Sequence, residues 1–238
     1  ASEQAYPASI TKVMTAILAI ENLPDLEEQL TIPEEMFAEL TEQGASVAGF
    51  DPYEQVSVRS LLYGVLLPSG ADACITLADY IAGSEDEFVQ MMNDKASELG
   101  MEHTHFVNCT GLHDPQHYTT CEDLAVLMQY CLRNDTFRTI ITTRSYTTEA
   151  TSAHPSGITM NDSMFTKFDN SGISTTMSNG LTVEGGKTGF TDEAGQCLAS
   201  FGSLNGTEYI LVTMGAPAEL ASEIMSIQDA ETVYSRIE

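Results

Sequence analysis

A lysine where a lysine is hard to place is the strongest constraint in this sequence. From Ser9 onward, Ile10, Val13, Met14, Ile17 and Leu18 recur at helical spacing, so the segment reads as a helix buried along an apolar stripe, with Ser9 at its N-terminal end. Lys12 falls inside that stripe. An ammonium in such surroundings must find polar partners or give up its proton. The ordinary reading of Ser-x-x-Lys is a capping serine and a solvated lysine, and the apolar neighbours argue against it here. The serine lies one helical turn away, near the positive end of the helix dipole. A neutral lysine there can take the serine's proton. Of the four lysines, Lys12, Lys95, Lys167 and Lys187, only Lys12 has a serine three residues earlier.

Two further short motifs follow, Ser69-Gly70-Ala71 and Lys187-Thr188-Gly189. Each is weak alone. A second helix is expected over residues 56–66, broken at Pro68, with helical periodicity resuming over 72–81, so that Ser69 is displayed at a helix junction. Helices are expected over 85–99, ended by Gly100, and over 120–132, started by Thr119 or Thr120 with Glu122 and Asp123 in the first turn. Strands should dominate after that. The clearest pair is 197–203 with 207–214 around Asn205-Gly206, a dipeptide suited to a type I′ hairpin. Residues 151–179 read as an irregular excursion and 219–236 as a final helix. The implied fold class is α+β, an antiparallel sheet flanked by helices. The whole chain, 1–238, reads as one domain with a mostly helical lobe inserted at about 24–135.

Composition excludes several function classes. With 35 Asp and Glu against 9 Lys and Arg, the net charge is -26, so nucleic acid is not an expected partner. An anionic membrane surface is unfavourable for the same reason. No apolar run reaches the roughly 18 residues of a membrane-spanning helix, and no leader peptide is read in the sequence. The five cysteines show no CxxC spacing, which points to buried free thiols rather than a zinc ribbon or redox pair. His103, His105, His113 and His117 are clustered and a metal site there is conceivable, but no HExxH accompanies them. No metal and no cofactor are expected.

Taken together, the segment Tyr6-Pro7-Ala8-Ser9-Ile10-Thr11-Lys12-Val13-Met14-Thr15 resembles the nucleophile segment of low-molecular-mass penicillin-binding D-alanyl-D-alanine carboxypeptidases. Leu66-Leu67-Pro68-Ser69-Gly70, Leu99-Gly100-Met101, Thr104-His105-Phe106-Val107-Asn108, Gly111-Leu112-His113-Asp114, His117-Tyr118-Thr119-Thr120 and Gly185-Gly186-Lys187-Thr188-Gly189-Phe190-Thr191 agree with it. The resemblance covers nearly the whole chain and is poorest in the 150s to 170s. It implies the serine β-lactamase/DD-peptidase-like fold and removal of the terminal D-alanine from peptidoglycan stem peptides through an acyl-enzyme. It also implies acylation by β-lactams and a place outside the bacterial cytoplasm, secreted or associated with the wall or membrane. On the matching positions, Ser9 would be the nucleophile, Lys12 its general base and Ser69 a proton relay. Lys187, Thr188, Gly189 and Phe190 would bind substrate, Lys187 through positive potential and Thr188 by a hydrogen bond to the terminal carboxylate. The backbone N–H groups of Ser9 and Phe190 would form the oxyanion hole.

Two departures stand out. The family's second motif usually ends in asparagine, here Ala71, and the family often supplies an arginine for the substrate carboxylate, whereas beyond Lys187 this chain has only Arg236. Two alternatives therefore stay open: a β-lactamase of the same fold, although no glutamate-containing deacylation motif is seen between Ser69 and Lys187, and a non-catalytic wall-binding or β-lactam-sensing module. The family normally has two strands before the nucleophile helix, and only eight residues precede Ser9 here. The N-terminal strands are thus expected to be missing, the chain to be a trimmed fragment, and residues 207–214 to form an exposed sheet edge.

Overall fold

The computed structural model describes residues 1–218, 220 and 222–238. A 3-10 turn, Ala8–Thr11, leads into α1 (Lys12–Asn22). There follow β1 (Gln29–Thr31), α2 (Met36–Glu42), β2 (Gln55–Ser57), α3 (Val58–Leu66), α4 (Ala71–Ala82), α5 (Glu85–Leu99), α6 (Cys121–Cys131) and α7 (Asp135–Ile141). The short strands β3 (Ser145–Thr147) and β4 (Thr159–Asn161) precede α8 (Ser163–Ser171). The main strands β5 (Thr182–Thr191), β6 (Gly195–Leu204) and β7 (Thr207–Ala216) come next, and α9 (Met225–Tyr234) closes the chain. The expected mixture of helices and antiparallel sheet is what the molecule has. No helix among the described residues is long and apolar enough to cross a membrane.

The centre of the molecule is α1. Every residue from Lys12 to Ile20 is buried, with α3, α4, α5, α6 and α7 packed around it. Burying side chains such as Val13, Met14, Ile17 and Leu18 contributes about 1.5–3 kcal/mol each, enough to hold α1 in place and to carry Lys12 inside with it. Several helices are capped by their own sequence. Ser57 Oγ accepts from Ser60 N (3.1 Å), Thr120 Oγ1 from Asp123 N (3.1 Å), and Asp162 Oδ1 from Phe165 N (2.9 Å).

The main sheet has the order β5-β6-β7 and is antiparallel throughout. Asn205 and Gly206 both have positive φ, 53° and 80°, as a type I′ hairpin requires. Among the described residues β7 pairs only with β6, so its far side is an edge, while Ile210, Leu211 and Val212 are half-buried under neighbouring helices. Tyr234 of α9 is fully buried against the sheet, its hydroxyl 3.0 Å from Ser200 Oγ. The outer edge of β5 abuts the 3-10 turn that carries Ser9.

Several expectations need correction. The helix read over 56–66 begins at Val58, because Val56 pairs with Leu30 in the β1–β2 ribbon. Residues 151–179 are not irregular throughout: they contain β4 and α8, whose apolar Met164, Phe165 and Phe168 are buried within a mostly polar segment. Strands do not dominate directly after α6, since α7 and α8 intervene. The final helix starts at Met225, and residues 222–224 are not helical. Glu219, where the sequence sets that start, lies outside the described residues. Cys121 is only half-buried, while the other four thiols are buried and all five are free.

The loop before α6 meets the Ser9 turn at close range. Gly111 has φ +82°, and a Cβ there would lie 1.9 Å from the carbonyl oxygen of Ala8. Gly111→Ala is therefore expected to cost about 2 kcal/mol or more, from backbone strain and displacement of the turn. Denaturant unfolding checks this; stability equal to the parent would show that the contact relaxes freely.

Candidate active site

Four separate elements bring the sequence-predicted residues together. The 3-10 turn and α1 supply Ser9 and Lys12, the α3–α4 junction supplies Ser69, and β5 supplies Lys187 to Phe190. A cleft of about 150 Å³ is lined by Ser9, Ser69, Thr188, Gly189 and Phe190, and also by Ser46, Pro68, Ser163 and Lys167. β5 can come this close because residue 189 has no side chain: a Cβ there would lie 2.9 Å from Pro7 O and 3.0 Å from Ser9 N.

Lys12 is 3% exposed. Its Nζ donates to Ser9 Oγ at 3.1 Å and to the Thr110 carbonyl at 2.7 Å. Burial pushes its pKa down. Opposing this are negative charges, and here the neighbours differ. The Cys74 thiol is itself driven up to about 12 by burial, and Cys109 likewise well above the usual thiol range, so both are uncharged near neutrality. Asp72 remains as the counter-charge. Its carboxylate accepts from Ala48 N (2.7 Å) and Gly49 N (3.2 Å), although burial raises its pKa too.

Lys187 is fully buried on β5, with Nζ donating to its neighbour's carbonyl, Thr188 O, at 3.1 Å. Burial and the charge of Lys12 push its pKa down, and the charge of Asp162 pulls the other way. Asp162, 1% exposed at the N-cap of α8, is pushed up by burial and held down by backbone N–H groups and Lys187. Thr188 Oγ1 lies 2.6 Å from Ser163 Oγ. Ser69 has φ +69°, is 8% exposed, and its Oγ has no hydrogen-bond partner among the described residues. Ala71 is buried, and its N–H donates to Ser46 O at 2.8 Å.

Sequence reasoning did not single out Thr110, Asp72, Ser46, Ser163 or Lys167. Their placement depends on packing between distant segments, and only the Asp162 cap signalled that a helix starts at Ser163. Of the clustered histidines, His117 serves the scaffold. His117 is 2% exposed, Val107 N–H donates to its Nδ1 at 3.2 Å, and its Nε2 is 2.8 Å from Thr11 Oγ1. Nδ1 is thus the acceptor, so the ring is neutral with its proton on Nε2, donated to Thr11. Among the described residues no group of three or more His, Cys, Asp or Glu could hold a metal ion.

A family model described as D-alanyl-D-alanine carboxypeptidase matches residues 1–218. The D-alanyl-D-alanine carboxypeptidase DacF of Bacillus subtilis (strain 168) is 31% identical over 231 residues, covering 96% of this chain and 56% of that protein. The D-alanyl-D-alanine carboxypeptidase of Streptomyces sp. (strain K15) is 33% identical over 220 residues, covering 89% and 72%. The crystal structure of the Streptomyces K15 DD-transpeptidase superposes with a TM-score of 0.82 at 28% identity, covering 98% of this chain and 87% of that one. The chain spans about half the length of the Bacillus relative.

Burial lowers the His117 pKa from its ordinary 6.5 to about 4. Between those values the unfolded chain binds a proton that the folded chain refuses, so this group's contribution falls as pH drops through that window. Burial raises the Asp162 pKa, which works in the opposite sense, since the folded state then binds the extra proton. The difference between wild type and His117→Gln isolates the histidine. The variant is expected to lose less stability than wild type between pH 6.5 and 4, by up to about 3 kcal/mol. Parallel pH curves from denaturant melts would show that folding leaves the His117 pKa unshifted.

Proposed function

The chain belongs to the D-alanyl-D-alanine carboxypeptidase family, and from that premise we propose that it is a serine DD-peptidase that removes the terminal D-alanine from peptidoglycan stem peptides. The carrying observation is the buried Lys12 amine 3.1 Å from Ser9 Oγ at the edge of a cleft. A serine hydroxyl is a poor nucleophile at neutral pH, and a lysine whose pKa is depressed by burial is a competent base for it.

In the proposed reaction Ser9 Oγ attacks the carbonyl carbon of the penultimate D-alanine while its proton passes to Lys12 Nζ. The tetrahedral oxyanion is received by the N–H groups of Ser9 and Phe190, two residues that line the cleft. Collapse breaks the peptide bond. The departing D-alanine amine takes a proton through Ser69, leaving an ester on Ser9 that water hydrolyses. Thr188 hydrogen-bonds the terminal carboxylate, with Gly189 allowing the close approach of β5. Lys187, having no solvent exposure, acts by its potential rather than by direct contact. Neither a metal nor a cofactor enters these steps. β-Lactams would acylate Ser9 as mimics of the same substrate. Because peptidoglycan lies outside the cytoplasmic membrane, the chain would act there, secreted or held at the wall, and trimming of stems would bear on wall cross-linking and cell shape.

Ser9→Ala is expected to abolish covalent labelling by a fluorescent penicillin with little change in melting temperature; persistent labelling would move the nucleophile elsewhere. Lys12→Ala is expected to slow acylation by about two or more orders of magnitude, measured by stopped-flow with the same reagent. Release of free D-alanine from a pentapeptide separates a peptidase from a sensing module that acylates but does not turn over. Rapid release of opened penicillin without D-alanine would point instead to a β-lactamase.

A further inference from the structure

Among the described residues lining the cleft, the basic side chain is Lys167, a residue that none of the three motifs contains. It stands on α8 four residues after Ser163, so the two share one face of that helix. Ser163 Oγ in turn touches Thr188 Oγ1 at 2.6 Å. Thr188, Ser163 and Lys167 therefore form a row of hydroxyl, hydroxyl and ammonium along one wall. The lysines of the motifs and the C-terminal arginine are poorly placed for contact. Lys187 has no exposure and spends a donor on Thr188 O, Lys12 is 3% exposed, and Arg236 is solvent-exposed beyond the end of α9 and lines no part of the cleft.

We propose that Lys167 is the residue that pairs with the terminal carboxylate of the substrate, acting with the Ser163 and Thr188 hydroxyls. The proposal rests on the serine-peptidase reading above and adds the group that confers selectivity for a free carboxylate. Lys167 is half-buried, and its Nζ donates to the Glu223 carbonyl at 2.9 Å. That bond fixes the direction of the side chain, and an ammonium has three donors, leaving two for a carboxylate. Burial lowers its pKa to about 8, so it is still mostly charged at neutral pH. A protein with a net charge of -26 repels an anionic substrate at long range. A cation in the cleft itself offsets that repulsion where the substrate is held.

The test uses two thioester acyl donors that differ in one group. One has a thioglycolate leaving group with a free carboxylate, the other its neutral methyl ester. Acylation of Ser9 by either breaks the thioester C–S bond and forms the same ester. For wild type, kcat/KM is expected to favour the carboxylate donor. In Lys167→Met the ratio of the two kcat/KM values is expected to fall by about tenfold to hundredfold, the range for loss of a charge-assisted hydrogen bond. The loss should lie mainly in KM, and Lys167→Arg should restore most of the ratio. An unchanged ratio in Lys167→Met, or equal loss with both donors, overturns the assignment. A wild-type protein that is acylated by neither donor overturns the peptidase reading itself, a different pattern from the other two.

Discussion

The site depends first on keeping an ammonium inside an apolar helix bundle. Lys12 cannot be buried unless something accepts its hydrogen bonds, and the acceptor that the fold supplies is a main-chain carbonyl, Thr110 O. That carbonyl sits on a loop nearly a hundred residues away, and a network of polar contacts holds the loop against α1. Thr15 Oγ1 donates to Cys109 O at 2.6 Å, Asn108 Oδ1 receives Thr110 N and Gly111 N, and Thr11 Oγ1 meets His117. Each of these groups would be costly to bury unpaired. The loop is held because Thr11, at the end of the 3-10 turn, and Lys12 and Thr15 of α1 all face it.

The same burial sets the electrostatics. Desolvation drives Lys12 toward its neutral form, and the charge of Lys12 helps drive Lys187 the same way. Two cations this close would be untenable without compensation. Asp72 stands behind Lys12 and Asp162 behind Lys187, both buried and both tied to backbone N–H groups. Each carboxylate thus does two jobs: as acceptor it fixes a turn or a helix start, and as charge it moderates a lysine. In a chain so acidic overall, the few lysines have local effects out of proportion to their number.

What the sequence revealed and what it hid follow the same physics. α5 was legible to the residue because Ser84 caps it, acidic residues fill its first turn and Gly100 ends it with a left-handed residue. The hairpin at Asn205-Gly206 was legible because its backbone conformation admits few residue types. α2, α7 and α8 were not, since each is short, seven to nine residues, and buries only two or three side chains. A pattern needs at least two turns to stand out from chance. For the site, the motifs placed Ser9, Lys12, Ser69 and the β5 residues in order, but a backbone acceptor such as Thr110 O leaves no mark in residue type. Lys167 was visible only as a scarce lysine, because the helix that aims it was itself unread.

Ala71 shows how a site can be kept while one of its motifs is altered. A methyl group cannot hydrogen-bond Lys12, yet the lysine already has a carbonyl and a hydroxyl as acceptors, so its position does not depend on side chain 71. What residue 71 does supply is its N–H, bonded to Ser46 O, which ties the 46–49 segment to the start of α4 beside the cleft. Asp72 reinforces that tie through Ala48 and Gly49. Ser69 just before them is then held in a left-handed conformation that serine seldom adopts, with a buried hydroxyl that no described group satisfies. Strain and an unmet hydrogen bond at one residue persist only where the surroundings over-determine them. Because Ser69 lines the cleft, a ligand atom there would meet the hydrogen bond that its hydroxyl lacks.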